Sequence, residues 1–176
     1  MIELLTPAQL DEMRPAGEFV GSVLTALSEA ADVGVNLLDR DALAHRMIRG
    51  RGAESCYIDY HPSFGAMPFG KVLCTSVNDA VLHGLPHDYT HRDSDLVSLD
   101  FAVSVDGWVC DSAVSVIVGT PRDEDVALIA HAQEALDAAI AVARAGNKVG
   151  DISAAIGEVG RSHGLSINTQ FGGHGV

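Results

Sequence analysis

Leu96-Val97-Ser98-Leu99-Asp100-Phe101-Ala102-Val103-Ser104-Val105-Asp106-Gly107-Trp108-Val109-Cys110-Asp111-Ser112-Ala113-Val114-Ser115-Val116-Ile117-Val118 sets the architecture of the chain. Two β-rich runs flank Asp106-Gly107, a strong hairpin signal because both central residues of a type I′ turn need positive φ. With that turn, Val105 faces Trp108, Ala102 faces Asp111 and Asp100 faces Ala113. Residues directly opposite, or two apart, share one face of a sheet. Asp100 and Asp111 therefore share a face as diagonal neighbours, with backbones roughly 7–8 Å apart. Two like charges this close in an apolar hairpin either perturb each other's ionisation or share a cation. A divalent metal, or two, bridged by the carboxylates answers the problem. An edge hairpin with one or both aspartates in water answers it equally well on spacing alone.

Helical patterns lie on both sides of the hairpin. Thr6-Pro7 opens a long amphipathic helix reaching about Ala31, with Gly34 as its stop. A second helix runs from about Leu38 to Arg49, ended by Gly50-Arg51-Gly52. Beyond the hairpin, Asp123 to Ala145 predicts a long Ala-rich helix and Asp151 to about His163 a shorter one. Leu165-Ser166-Ile167-Asn168 predicts a strand, as do Ser55 to Tyr60 and Lys71 to Val77. Between the last two lies a loop punctuated by Pro62, Pro68 and Gly70, of a length that is more often functional than accidental.

The halves echo each other at an offset of 112 residues. Gly34 falls on Gly146, Asp39 on Asp151, Arg49 on Arg161 and Gly52 on Gly164. The order of elements repeats too, which points to two related halves, with two unrelated helical hairpins of similar length as the alternative; the chain reads as one α/β (α+β) domain over 1–176. Its related halves span about 1–118 and 119–176, the second with its strands barely begun.

Composition limits the function. The 176 residues carry 11 basic and 24 acidic side chains, a net charge of −13. Such a surface repels nucleic acid and anionic membrane. No apolar run approaches the roughly 18 residues needed to span a bilayer. The first residues lack the basic region of a signal peptide, and Cys56, Cys74 and Cys110 have no paired spacing. A reducing, cytoplasmic setting and a monomer are the expectation.

Among single residues, His83 sits in a turn beside Gly84 and Pro86, where it can give or take a proton near neutral pH. His174 lies between Gly173 and Gly175, whose small size allows close approach to a ligand or metal. His45, His87, His91, His131 and His163 have no such context and read as solvated. Cys56 and Cys74 read as small buried residues rather than nucleophiles.

Three ordered motifs now add up. Cys74-Thr75-Ser76-Val77-Asn78-Asp79-Ala80-Val81-Leu82-His83-Gly84-Leu85-Pro86, the hairpin over 97–113, and Phe171-Gly172-Gly173-His174-Gly175-Val176 together resemble type I methionine aminopeptidases of the M24 metallopeptidase family. The resemblance implies the pita-bread fold, with two pseudo-symmetric halves. It implies a site for two divalent ions (Co, Mn, Fe or Zn), with Asp100 chelating one, Asp111 bridging both and His174 binding the second. His83 would contact the substrate amide and assist proton transfer. A metal-bridging hydroxide would attack the carbonyl after the initiator methionine of a nascent polypeptide, with the ribosome as a possible partner. Cys74 would line the methionine pocket, with Tyr60 and Phe64 as further pocket residues. The family places two metal-binding glutamates and a second active-site histidine beyond the Gly-His-Gly segment. The chain therefore reads as C-terminally truncated, and an inactive fragment or a non-catalytic peptide-binding module on the same fold is the alternative. A proline-type dipeptidase or creatine-hydrolase relative is a further reading; Ser76-Val77-Asn78 favours the methionine enzyme.

Overall fold

The computed structural model describes residues 4–61 and 67–176. It divides into two compact units, residues 1–120 with Val176, and residues 121–175. In the first unit, α1 (Pro7–Glu29) and α2 (Leu37–Arg51) precede four strands: β1 (Glu54–Ser55), β2 (Cys74–Val77), β3 (Leu96–Val105) and β4 (Trp108–Ile117). The second unit holds α3 (Asp123–Val142) and α4 (Val149–Ser162).

Each helix of the first unit begins and ends for local reasons. Thr6 and Gln9 form a reciprocal capping box at the start of α1. Asn36 caps α2 through its side chain, and Gly52 closes it at φ 71°. The apolar stripe of α1 (Ala16, Val20, Val23, Leu24, Leu27) packs on one face of the sheet with Ala44 and Ile48 of α2. That face alternates along β3 as Val97, Leu99, Phe101, Val103 and Val105, all buried. The intervening residues Ser98, Asp100, Ala102 and Ser104 therefore point to the opposite face.

β3 is central. β4 runs antiparallel along its whole length, while β1 and β2 share its other edge. Ser55 pairs with Val103, the Cys56 amide still donates to the Ala102 carbonyl, and Cys74 then takes Asp100. This sharing corrects two expected strands. Residues 55–60 cannot stay paired, because β2 occupies the next stretch of the edge. Residues 71–73 stay outside the ladder for the same reason, though Val72 and Leu73 are fully buried. Asp41 of α2 accepts from the Val72 amide at 2.9 Å and fixes the chain where it re-enters the sheet.

In the second unit, 165–168 is not a strand. Among the described residues nothing pairs with it, and an unpaired backbone gains no ladder. The helix bounds echo the first unit: Leu37 opens α2 and Val149, at the same 112-residue offset, opens α4.

Candidate metal centre

The hairpin turn has the backbone that Asp-Gly predicts. Asp106 is at φ 53° and Gly107 at φ 86°, both positive. The register follows: Val105 pairs with Trp108, Ala102 with Asp111 and Asp100 with Ala113. Asp100 and Asp111 thus emerge on the face away from α1, and both are half-buried.

What lies between them comes from the loop that leaves β1. After Ser55 the chain reverses, with the Tyr60 amide donating to the Tyr57 carbonyl. This turn lifts Tyr57 over the sheet. Its hydroxyl donates to Asp100 Oδ1 at 2.8 Å and reaches Asp111 Oδ1 at 3.5 Å. The two carboxylates therefore converge on one point, marked by a single phenolic proton. Phe69 supports the tyrosine ring edge-on, with centroids 5.9 Å apart. Burial, Asp100 with its hydrogen bond, Asp111 and Cys74 together push the Tyr57 hydroxyl far above the usual phenol range. Tyr57 is thus a permanent proton donor at neutral pH. No pattern in the sequence marks it, because its role arises from the chain reversal and not from strand alternation.

Cys74 is the cross-strand partner of Asp100 and is 4% exposed. Burial first, then Asp100 and Asp111, push its thiol up to about 12. It is a neutral, apolar wall beside the carboxylates, neither thiolate ligand nor nucleophile. The donor set here is oxygen from two carboxylates, hard ligands that suit a divalent cation.

His83 is exposed, at φ 55°, on the connection between β2 and β3. Gly84 holds that connection against β2: its carbonyl accepts from the Thr75 amide at 2.7 Å, and its amide donates to Ser76 Oγ at 3.1 Å. A Cβ on Gly84 would overlap the Thr75 carbonyl, so only glycine fits. The far end of the connection is pinned by Asp95. It accepts from Asn78 Nδ2 at 2.9 Å, and from the Tyr89 hydroxyl and Arg92 amide at 2.8 Å. Burial raises the Asp95 carboxyl, but these donors and His91 outweigh it and hold the group below its ordinary range.

The structure corrects the reading of His91 as solvated, whereas His163 is exposed and His131 partly so. His91 is 2% exposed and accepts from Arg40 Nε at 2.8 Å. Arg40, itself 1% exposed, also donates to the carbonyls of Leu27 and Ala30. Burial, then the Arg40 charge, lower the His91 pKa. His131 and His163 stack on each other in the second unit. Such pairings join residues distant in sequence, so local context cannot reveal them.

Tyr60 is 58% exposed and lies where the loop turns away. Phe64 lies outside the described residues. His174 belongs to the second unit, in the exposed stretch after α4, with Nδ1 3.1 Å from the Gly175 carbonyl. The structure thus brings together Asp100, Asp111, Cys74 and the unforeseen Tyr57, with His83 on the connection that flanks β2.

Known proteins resemble this chain in sequence and in fold. The model of metallopeptidase family M24 matches residues 11–176. The methionine aminopeptidase of Aquifex aeolicus is 37% identical over 99% of this chain and 68% of its own length. Methionine aminopeptidase 1 of Mycobacterium tuberculosis is 35% identical over 96% of this chain and 64% of its own. The crystal structure of methionine aminopeptidase from Rickettsia prowazekii superposes with a TM-score of 0.87 at 30% identity, covering 93% of this chain and 63% of that one. The chain spans about two thirds of the length of these relatives. Its mixed helix and sheet architecture is the pita-bread fold they share, and the family's chemistry implies divalent metal. On the match over nearly its whole length, the chain belongs to metallopeptidase family M24.

Proposed function

We propose that the chain serves removal of the initiator methionine from nascent proteins, as an aminopeptidase that uses two divalent metal ions. The main support for this reading is the convergence of Asp100 and Asp111 on one point across the hairpin. When bound, the ions supply Lewis-acid polarisation of the scissile carbonyl and a water of lowered pKa. Asp100 and His174 would each hold an ion, and Asp111 would serve as the ligand common to both. Mixed carboxylate and imidazole ligands suit Co, Mn, Fe or Zn. His83, presented on a connection clamped at Gly84, donates to the substrate amide and assists proton transfer there. Cys74, neutral and buried, lines the pocket for the methionine side chain, and Tyr60 and Phe64 extend it. The two halves, about 1–118 and 119–176, are parts of one catalytic domain.

The net charge of −13 argues against nucleic acid as a partner. No helix of the described residues is long and apolar enough to cross a membrane. We place the protein in the cytoplasm as a monomer, with nascent chains, and through them the ribosome, as its partners.

The second reading is an inactive fragment or a non-catalytic module on the same fold that uses the cleft to bind peptide. One assay separates the two. A Met-Ala-type peptide is incubated with the chain and added Co²⁺ or Mn²⁺, and free methionine is measured. Release that disappears with Asp111→Asn supports the enzyme. Peptide binding without release supports the second reading, and absence of both overturns the proposal.

A further inference from the structure

Helices α3 and α4 carry a side-chain cluster that plays no part in the reading above. His131 and Glu134 lie three residues apart on α3 and so share a face. His163 forms the C-cap of α4. The two imidazole rings stack with centroids 3.6 Å apart and planes 20° apart. Glu134 Oε2 accepts from His163 Nε2 at 2.8 Å and lies 3.9 Å from His131 Nδ1. One ligand atom from each residue lies within 4.8 Å of the other two.

An ion pair between the helices would need one imidazole. Here a second imidazole is brought face to face with the first beside the same carboxylate oxygen. Two nitrogens and one oxygen within 4.8 Å of one another are the donor set of an open zinc-type site, with a fourth position left for water. Bonds of about 2.0–2.2 Å require donor atoms within roughly 3.5 Å of one another, so closure takes a movement of about 1 Å together with rotation of the imidazoles out of their stack, which turns their in-plane lone pairs toward one ion. The histidine side chains are 27% and 30% exposed and Glu134 is 54% exposed, which leaves them free to rotate. The acidic chain further favours a cation.

We propose that His131, Glu134 and His163 form a metal site of their own, selective for Zn²⁺ or Cu²⁺ over Mn²⁺. Imidazole donors and the rising affinity along the first-row metals set that preference. The site uses no residue of the hairpin, so it stands or falls apart from the proposed peptidase.

The test is equilibrium dialysis of the EDTA-stripped 176-residue chain against Zn²⁺. It is run in an Asp100→Asn/Asp111→Asn background, so that the hairpin carboxylates contribute no uptake. Zinc is retained in that background. It is lost with His131→Ala/His163→Ala and weakened at least about tenfold with Glu134→Gln, which keeps side-chain size and an acceptor for His163. Where the double alanine variant loses helix content, the Glu134→Gln comparison carries the test. Cu²⁺ bound to the background protein gives nitrogen hyperfine structure in its paramagnetic resonance spectrum. Zinc uptake equal to the background in both variants, or a copper spectrum without nitrogen coupling, overturns the site.

Discussion

Tyr57→Phe isolates the proton that the two carboxylates share. The substitution keeps the ring and its edge contact with Phe69, and removes only the hydroxyl. What is lost is a 2.8 Å bond to Asp100 and a 3.5 Å contact with Asp111. A hydrogen bond to a charged group contributes about 1.5–3 kcal/mol, and its loss leaves two like charges facing each other without a donor. We expect a stability loss of about 2 kcal/mol in EDTA. For a chain of this size that corresponds to a fall in melting temperature of roughly 4–8 °C. With saturating Mn²⁺ the carboxylates have a cation, and the missing hydroxyl costs under about 1 kcal/mol, as a neutral hydrogen bond does. Mn²⁺ therefore raises the melting temperature of Tyr57→Phe by more than it raises that of the parent. Four thermal melts, parent and variant with and without metal, measure this. An equal loss in both conditions while Mn²⁺ binds, or no loss in EDTA, rules out a proton shared between the carboxylates.

Arg40→Met leaves the carbonyls of Leu27 and Ala30 and the His91 ring nitrogen without their donor, while releasing a buried guanidinium. The net cost is about 2–4 kcal/mol in urea denaturation. Gly84→Ala places a Cβ against the Thr75 backbone, so the His83 connection must leave β2. Destabilisation of at least about 3 kcal/mol follows, again by urea denaturation. Alkaline pH destabilises the fold. Between pH 9 and about 12 an unfolded chain releases the Cys74 proton that the folded chain retains, and Tyr57 acts likewise above pH 10. The unfolded state then binds fewer protons, so the urea midpoint falls as pH rises through this window. His91, with its pKa lowered, acts in the opposite sense: its contribution is present above about pH 6.5 and is lost as pH falls below it.

What the sequence makes legible depends on the range of the interactions. The Asp106-Gly107 turn is local, so the chain's own pattern fixes the register and puts Asp100 and Asp111 on one face. Helix starts and stops at Thr6, Asn36 and Gly52 are likewise set within a few residues. The strands around the long loop are shorter than their β-rich runs predict. Edge sharing on β3 is a contest between β1 and β2, which neither segment encodes alone. Tyr57 is illegible for the same reason. Arg40 and His91 are 51 residues apart, and each has the composition of a surface residue. Their burial follows from mutual hydrogen bonding, which no periodicity displays.

Whether Asp100 and Asp111 hold divalent metal together is answered by metal stoichiometry. Mn²⁺ uptake by the EDTA-stripped chain is measured for the parent, Asp100→Asn and Asp111→Asn, with circular dichroism to establish that each is folded. Either substitution is expected to reduce uptake sharply, Asp111→Asn the more if it is the shared ligand proposed above. Undiminished uptake in both folded variants would remove the hairpin carboxylates from the metal site.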